Sequence, residues 1–297
     1  MSTAAASQPP HARLAMAALI FGAIAIGGAP ILVRVTDAGP AASGFWRLVF
    51  ALPLLLILNA AGPERDLGRV SRSQALAGLM FALDLACWHY GIRLTSVANA
   101  TVLPNLTPVL VTIAAWLLLG EKPTRIFLIG MIAAVGGAGL MALANAGGKG
   151  PGANPPLGDF LSAATAVWYG LYFLAIRRAR EASSAIRVMF WSSAVGAPVL
   201  LGIAIVLGED LTPGHPGGWL ALLGLGVVHV AGQGAIAWAL GRLPAATAAL
   251  VVLVQPVAAA SLAYVLFAEA LSPLQAFGAA LALGGVVVAQ LKGRGAR

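Results

Sequence analysis

Ten apolar stretches, each close to twenty residues long, leave few folds open to this sequence. They run over 14–33, 41–60, 73–92, 98–119, 124–144, 157–176, 187–207, 217–239, 245–267 and 273–291. A hydrocarbon core about 30 Å thick is crossed by roughly 20 helical residues. Lipid offers no hydrogen bonds, so each stretch must satisfy its own backbone, and an α-helix does so. The short alternating segments of a membrane β-barrel are not seen in the sequence. Charge, Gly or Pro marks the breaks, as in Gly62-Pro63-Glu64-Arg65-Asp66, Gly120-Glu121-Lys122-Pro123 and Gly208-Glu209-Asp210. Only 9% of the 297 residues are charged and 60% are hydrophobic, against about 25% charge in a soluble domain. The first stretch exceeds the 7–15 apolar residues typical of a cleaved signal, so it reads as a retained helix.

The formal net charge of +8 has a membrane explanation rather than a nucleic-acid one. With the N-terminus placed in the cytoplasm, fourteen of the eighteen Lys and Arg fall in cytoplasmic segments. Arg34, Arg93 and Lys149 fall outside, and Arg47 lies within a span. Basic residues concentrate on the cytoplasmic side of membrane proteins. Both termini are therefore expected in the cytoplasm, in a multi-pass protein of the cell inner (plasma) membrane. The lone Cys87 rules out an intrachain disulfide and supplies no metal cluster.

The chain also repeats itself. Pro108, Glu121, Gly130 and Gly136-Gly137 match Pro256, Glu269, Gly278 and Gly284-Gly285, each 148 positions later. Ala98 and Ala100 match Ala246 and Ala248 in the same register, and Phe45-Trp46 matches Phe190-Trp191 at 145. Two five-helix repeats are expected, over 14–144 and 157–291, with a Gly- and Pro-rich linker at 145–156. Five is odd, so the second repeat enters the membrane from the opposite side. Inverted repeats of this kind recur in secondary transporters, where two mirrored halves support two access states.

These junctions carry a family resemblance. Pro108 through Trp116-Leu-Leu-Leu-Gly120-Glu121, and Pro256 through Leu266-Phe267-Ala268-Glu269, each precede a Gly-rich helix. In this the chain resembles the drug/metabolite transporter superfamily, in its ten-helix form with two EamA-type repeats. The second junction departs from the pattern, with Ala268 in place of the Gly. The resemblance spans about 14 to 291 and implies an all-α membrane protein that exports a small organic metabolite. It further implies that helices four, five, nine and ten form a scaffold, while one to three and six to eight surround a cavity. The small residues of helices five and ten read independently as close helix packing.

Ionisable groups inside a bilayer are costly and mark partners or function. Arg47, Asp84, His89 and His229 lie within spans. Asp84, near the middle of helix three, reads either as a site for a substrate amine or a proton, or as a structural partner of Arg47 or of a backbone group. Trp88 follows it by one turn on the same face. His229 and Gln233 share a face of helix eight, either to bind a carboxylate or as an interhelical hydrogen bond. Trp168, Tyr169 and Tyr172 lie at mid-depth in helix six, where an interfacial belt does not account for them. An aromatic lining suits ring-bearing or apolar solutes. Arg47, Asp84, Trp88, His89, Trp168, Tyr169, Tyr172, His229 and Gln233 are therefore the candidate substrate-binding residues. Pro30, Pro104, Pro108, Pro198 and Pro256 are expected to interrupt or kink their spans. Asn105 and Gln255, beside two of them, read as donors to the carbonyls so freed.

No His-Glu-x-x-His, P-loop or nucleophile elbow occurs in the sequence, so a non-enzymatic function without cofactors or metals is expected. The reading is a secondary transporter that exports amino acids, aromatic or otherwise hydrophobic. A multidrug exporter of the same fold, or a membrane-embedded enzyme or assembly subunit, are the alternatives. The expected partners are the small-molecule substrate, the lipid bilayer and protons as a coupling ion, but no nucleic acid. The protein itself is expected to be a monomer or homodimer. Uniport and proton antiport stay open at this point.

Overall fold

The computed structural model describes residues 10–62, 65–95, 103–144, 154–267 and 272–290, and over these the chain is helical with no strand. The first span is α1 (Pro10–Gly27) and α2 (Ala29–Val35), separated at Gly28, with Pro30 in the first turn of α2. Then come α3 (Pro40–Ala61), α4 (Arg72–Leu94), a 3₁₀ turn at Pro104–Leu106 leading into α5 (Thr107–Leu119), and α6 (Arg125–Ala144). The second half holds α7 (Pro155–Arg180) and α8 (Ala185–Val206). Its eighth span is α9 (Pro216–Val228), a π-helical segment His229–Gln233 and α10 (Gly234–Leu240). The ninth is α11 (Ala245–Val251) and α12 (Val254–Phe267), and the tenth is α13 (Pro273–Gln290).

Five of these spans are long and apolar enough to cross a membrane on hydropathy alone. The third, α4, is not among them; it carries Asp84 and His89 in its interior. It packs between α7 and α8, which shields it from lipid. Not every expected proline break occurs. Pro198 sits inside α8, which runs on through it, as α3 runs on through Pro53. The interruptions fall at Gly28, ahead of Thr107 and between α11 and α12.

Small residues set the tightest contacts. A Cβ on Gly130 would come within 2.6 Å of the Gly285 carbonyl, and one on Gly137 within 2.4 Å of the Ala282 nitrogen. From α13, Gly278 meets Gly137 and Gly285 meets Ala134 in the same way. Residue numbers rise along one helix as they fall along the other, so α6 and α13 run antiparallel. Close backbone approach of this kind replaces the hydrophobic drive that lipid removes.

Contacts between the halves come in matched pairs. Span three packs on span six as span eight packs on span one, and span three on seven as eight on two. Gly78 abuts Ser192 and Gly196, and Gly226 abuts Phe50 and Ala51. Gly226 follows Gly78 by 148 positions, and Gly196 follows Ala51 by 145, the two offsets of the sequence repeat.

Gly-Glu junctions close both ends of the bundle. Gly120 and Gly208 take left-handed backbones, φ +70° and +65°, which a Cβ disfavours. Each is followed by a Glu whose N–H returns to a carbonyl of the helix it ends, Glu121 to Ala115 six residues back at 3.2 Å and Glu209 to Ala204 five back at 2.9 Å. The bonds of Gly208 to Ile205 and Glu209 to Ala204 are those of a Schellman ending. Each junction turns its carboxylate across the bundle end. Glu121 pairs with Arg177 at 2.8 Å, and Arg177 also donates to the Leu243 carbonyl. Glu209 accepts the N–H groups of Ala41 and Ala42 at 3.1 and 2.9 Å, and the Tyr90 hydroxyl. Gly39 leaves room for this, since a Cβ there would strike the Glu209 side chain.

One end of the bundle thus gathers Arg69, Arg72, Glu121, Arg177, Arg187 and Leu243, joined by bonds such as Arg187 to the Arg69 carbonyl at 3.1 Å. The other gathers Asp37, Thr95, Asp159, Glu209 and Gly214, with Thr95 donating to Asp159 at 2.6 Å. There the Asp37 carboxyl lies below its ordinary value. The Gly214 N–H is the main cause and His215, 3.6 Å away, a smaller one. Residues 145–153 of the linker, Ala268, Glu269 and the basic C-terminus lie outside the described residues.

Candidate functional site

Rings from three spans stack through the middle of the bundle. Tyr169 and Tyr172, three apart on α7, lie 5.9 Å centroid to centroid and 15° from parallel. Tyr172 stacks on Phe81 of α4 at 4.7 Å and 29°. Phe81 meets His229, the first residue of the π-helical segment, at 5.3 Å. The Nε2 of His229 lies 3.2 Å from the Ser193 hydroxyl of α8. Arg47 of α3 holds its guanidinium 5.5 Å from the centre of the Phe81 ring, within cation–π range.

Phe81 was not among the residues the sequence singled out, although two signals mark it. It precedes Asp84 by one helical turn, and it precedes His229 by 148 positions. The two residues hold the same place in the sequence repeat, and they are in contact.

Asp84 and Arg47 are buried, 7% and 4% exposed. Their charges act on one another, yet among the described residues no ion pair joins them. The structural pairing that the sequence left open for Asp84 is therefore not formed. Arg47 Nε and His229 Nδ1 have no hydrogen-bond partner.

The Tyr169 hydroxyl lies beside the Gln233 and Gln255 side chains. The three facing atoms, Tyr169 Oη, Gln233 Oε1 and Gln255 Nε2, are buried and complementary, and both carboxamides act on the hydroxyl as hydrogen-bond partners without reaching close geometry. Gln255 stands at the start of α12, and Asn105 in the 3₁₀ turn before α5. Neither side-chain nitrogen donates to a carbonyl freed by its neighbouring proline, which corrects the expectation for both.

The π-helical turn lies where α1 comes closest to it. Gly22 of α1 approaches Gly232 so closely that a Cβ on Gly22 would lie 2.6 Å from the Gly232 carbonyl. The widened turn keeps His229 and Gln233 buried, 1% and 2% exposed. Such segments recur at functional sites.

Other candidates lie to the side of the stack. Trp88 packs on His89 at 5.0 Å, and Trp168 faces the Cys87 thiol. The structure thus brings Arg47, Asp84, Tyr169, Tyr172, His229 and Gln233 together around Phe81. Surface depressions lined by Phe50, His215 and Trp219, and by Arg180, Ser184 and Arg242, lie at the bundle ends, apart from this cluster.

Comparison with known proteins gives the same architecture. The sequence model of the EamA-like transporter family matches twice, over residues 13–143 and 156–290. A protein described as an uncharacterized transporter of Archaeoglobus fulgidus is 27% identical over 278 residues, 93% of this chain and 96% of its own length. A probable terminal-alkyne amino-acid exporter of Streptantibioticus cattleyicolor is 30% identical over 128 residues, 43% of this chain and 42% of its own. A solved crystal structure superposes with a TM-score of 0.80 at 21% identity, covering 96% of this chain and 98% of that one.

Proposed function

The chain belongs to the EamA-like transporter family, and from that premise we propose that this multi-pass membrane protein exports amino acids by alternating access. The observation that carries the reading is the buried, unpaired couple of Arg47 and Asp84. Opposite charges in a dry interior are costly unless each finds a counter-charge. A zwitterion supplies both at once, its ammonium to Asp84 and its carboxylate to Arg47. The rings of Phe81, Tyr172 and Tyr169 then offer a surface to its side chain, which suits apolar and aromatic groups. The likeness to an amino-acid exporter over part of the chain supports the same substrate class.

Two inverted five-helix repeats, 14–144 and 157–291, form the moving halves. The double family match, the antiparallel α6–α13 pair and the exchanged contacts between spans support this arrangement. Spans one to three and six to eight enclose the site. The end rich in Arg faces the cytoplasm of a cell inner membrane, by the distribution of basic charge, and both termini lie there. Asp84 is the group that couples transport to protons.

Uptake of labelled amino acids into proteoliposomes, with and without a pH gradient, tests the reading. Saturable accumulation that an inward or outward proton gradient alters is the expected result. Failure to move any amino acid, with active transport of unrelated cations, would replace it with a multidrug exporter.

A further inference from the structure

Two buried nitrogens beside Phe81 lack partners, and the way His229 is held makes both of them donors. The Arg47 guanidinium carbon and the His229 imidazole centre lie 5.5 and 5.3 Å from the centre of the Phe81 ring, and α3 packs on the π-helical segment. His229, Ser193 and Arg47 are only 1%, 1% and 4% exposed. Arg47 Nε carries a hydrogen that no acceptor takes, and His229 Nδ1 is likewise unpartnered. The role of Nδ1 follows from the other side of the imidazole, where Nε2 lies 3.2 Å from the Ser193 hydroxyl. Among the described residues this is the one bond of that hydroxyl. Were Nε2–H the donor, the hydroxyl proton would be buried unbonded, which is costly. With the hydroxyl donating, Nε2 accepts and a neutral imidazole carries its hydrogen on Nδ1. Arg47 Nε–H and His229 Nδ1–H are then two donors, which cannot satisfy one another. A histidine serving only to tie helices together would have an acceptor at Nδ1 as well.

We propose that Ser193 holds His229 in its Nδ1–H form, and that this N–H joins the Arg47 Nε–H as a pair of donors for the carboxylate of the transported amino acid. A carboxylate accepts through two oxygens, and bonds to a charged acceptor are the strong ones. The proposal rests on the amino-acid reading above and deepens it. Arg47 alone balances the carboxylate charge, and His229 adds a bond without adding a second charge. Ser193 touches no substrate; it is a positioning residue that acts through His229.

Two measurements test this: the KM of L-phenylalanine in proteoliposomes, and the rise in melting temperature that 3-phenylpropionate gives the purified protein. The second probe has the carboxylate and the ring without the ammonium. His229→Gln and Ser193→Ala are expected to raise KM by about tenfold, the loss of one bond to a charged group, and to abolish the thermal shift. Asn in place of His229 sets a carboxamide N–H at the Nδ1 position, whereas Gln reaches only the Nε2 position. His229→Asn is therefore expected to recover most of the loss seen in His229→Gln, and Ser193→Thr, which restores the hydroxyl, most of that in Ser193→Ala. Equal losses in the two folded histidine variants overturn the donor at Nδ1. An unchanged KM in Ser193→Ala overturns the proposal too, and this variant, which removes a single oxygen, decides it should the histidine variants fold poorly. Transport of L-phenylalanine by a wild type that 3-phenylpropionate does not stabilise overturns the donor pair and leaves amino-acid export standing. If 3-phenylpropionate stabilises the wild type and not Ser193→Ala, while no amino acid is moved, the amino-acid reading falls and the carboxylate site stands without it.

Discussion

Asp84 and Arg47 set the chemistry of the interior because each is buried and neither closes on the other. Asp84→Asn keeps the shape and removes the charge. Initial uptake of the preferred amino acid should fall by about tenfold or more, and its dependence on the pH gradient should flatten. Full uptake with the original pH profile would remove Asp84 from the mechanism. At the surface, Asp37 shows the opposite balance of forces. Its carboxyl is depressed below 3.8, chiefly by the Gly214 N–H. A depressed carboxyl favours the folded state above its unfolded value, and that contribution vanishes as pH falls through the folded value. Asp37→Asn should therefore melt below the wild type near neutral pH. The two melting curves should converge once the pH is well under 3.8. A gap that persists in acid would mean the effect is not electrostatic.

Elements are fixed by small residues between helices and by carboxylates at helix ends. Gly137 on α6 has backbone of α13 where its Cβ would be, 2.4 Å from the Ala282 nitrogen. Gly137→Ala should destabilise the protein by about 1–3 kcal/mol, the range for overpacking a tight interior. Thermal unfolding of the purified protein in detergent measures it. Gly136, beside it, meets nothing within 4 Å, so Gly136→Ala is the control and should leave the melting temperature nearly unchanged. The Glu209 carboxylate satisfies two of the orphan N–H groups that begin α3. Glu209→Ala should cost about 1 kcal/mol, as the loss of a helix cap and of a charge at the positive end of the dipole.

Across the whole molecule, the two ends differ in charge. Arg69, Arg72, Arg177 and Arg187 gather at one, Asp37, Asp159 and Glu209 at the other. In a Cys87→Ser background, a cysteine at Glu121 and a cysteine at Glu209 should label from opposite sides of the membrane. An impermeant thiol reagent added to intact cells should reach the second and not the first. Labelling of both from outside would undo the orientation and the inverted arrangement together. The matched contacts of spans one, two, three, six, seven and eight leave Phe81 against His229. The site therefore sits where the halves meet.

The all-helical fold was legible in the residues themselves. Hydropathy acts segment by segment in lipid, and a glycine stripe marks a packed face whatever it packs against. The Gly-Glu junctions were visible too, because a left-handed glycine ends a helix locally. What no single segment contains is which side chains meet across spans. Phe81 looked like one apolar residue among many until Tyr172 and His229 closed on it from other helices. Gln255 and Asn105 read as servants of their prolines, since the sequence places them beside freed carbonyls. Only the packing of the ninth span against the sixth and eighth turned Gln255 towards Tyr169. Likewise, the sequence left open whether Asp84 pairs with Arg47. The tertiary structure holds them apart, because α3 and α4 are positioned by glycine contacts with α8 and α9 rather than by that attraction.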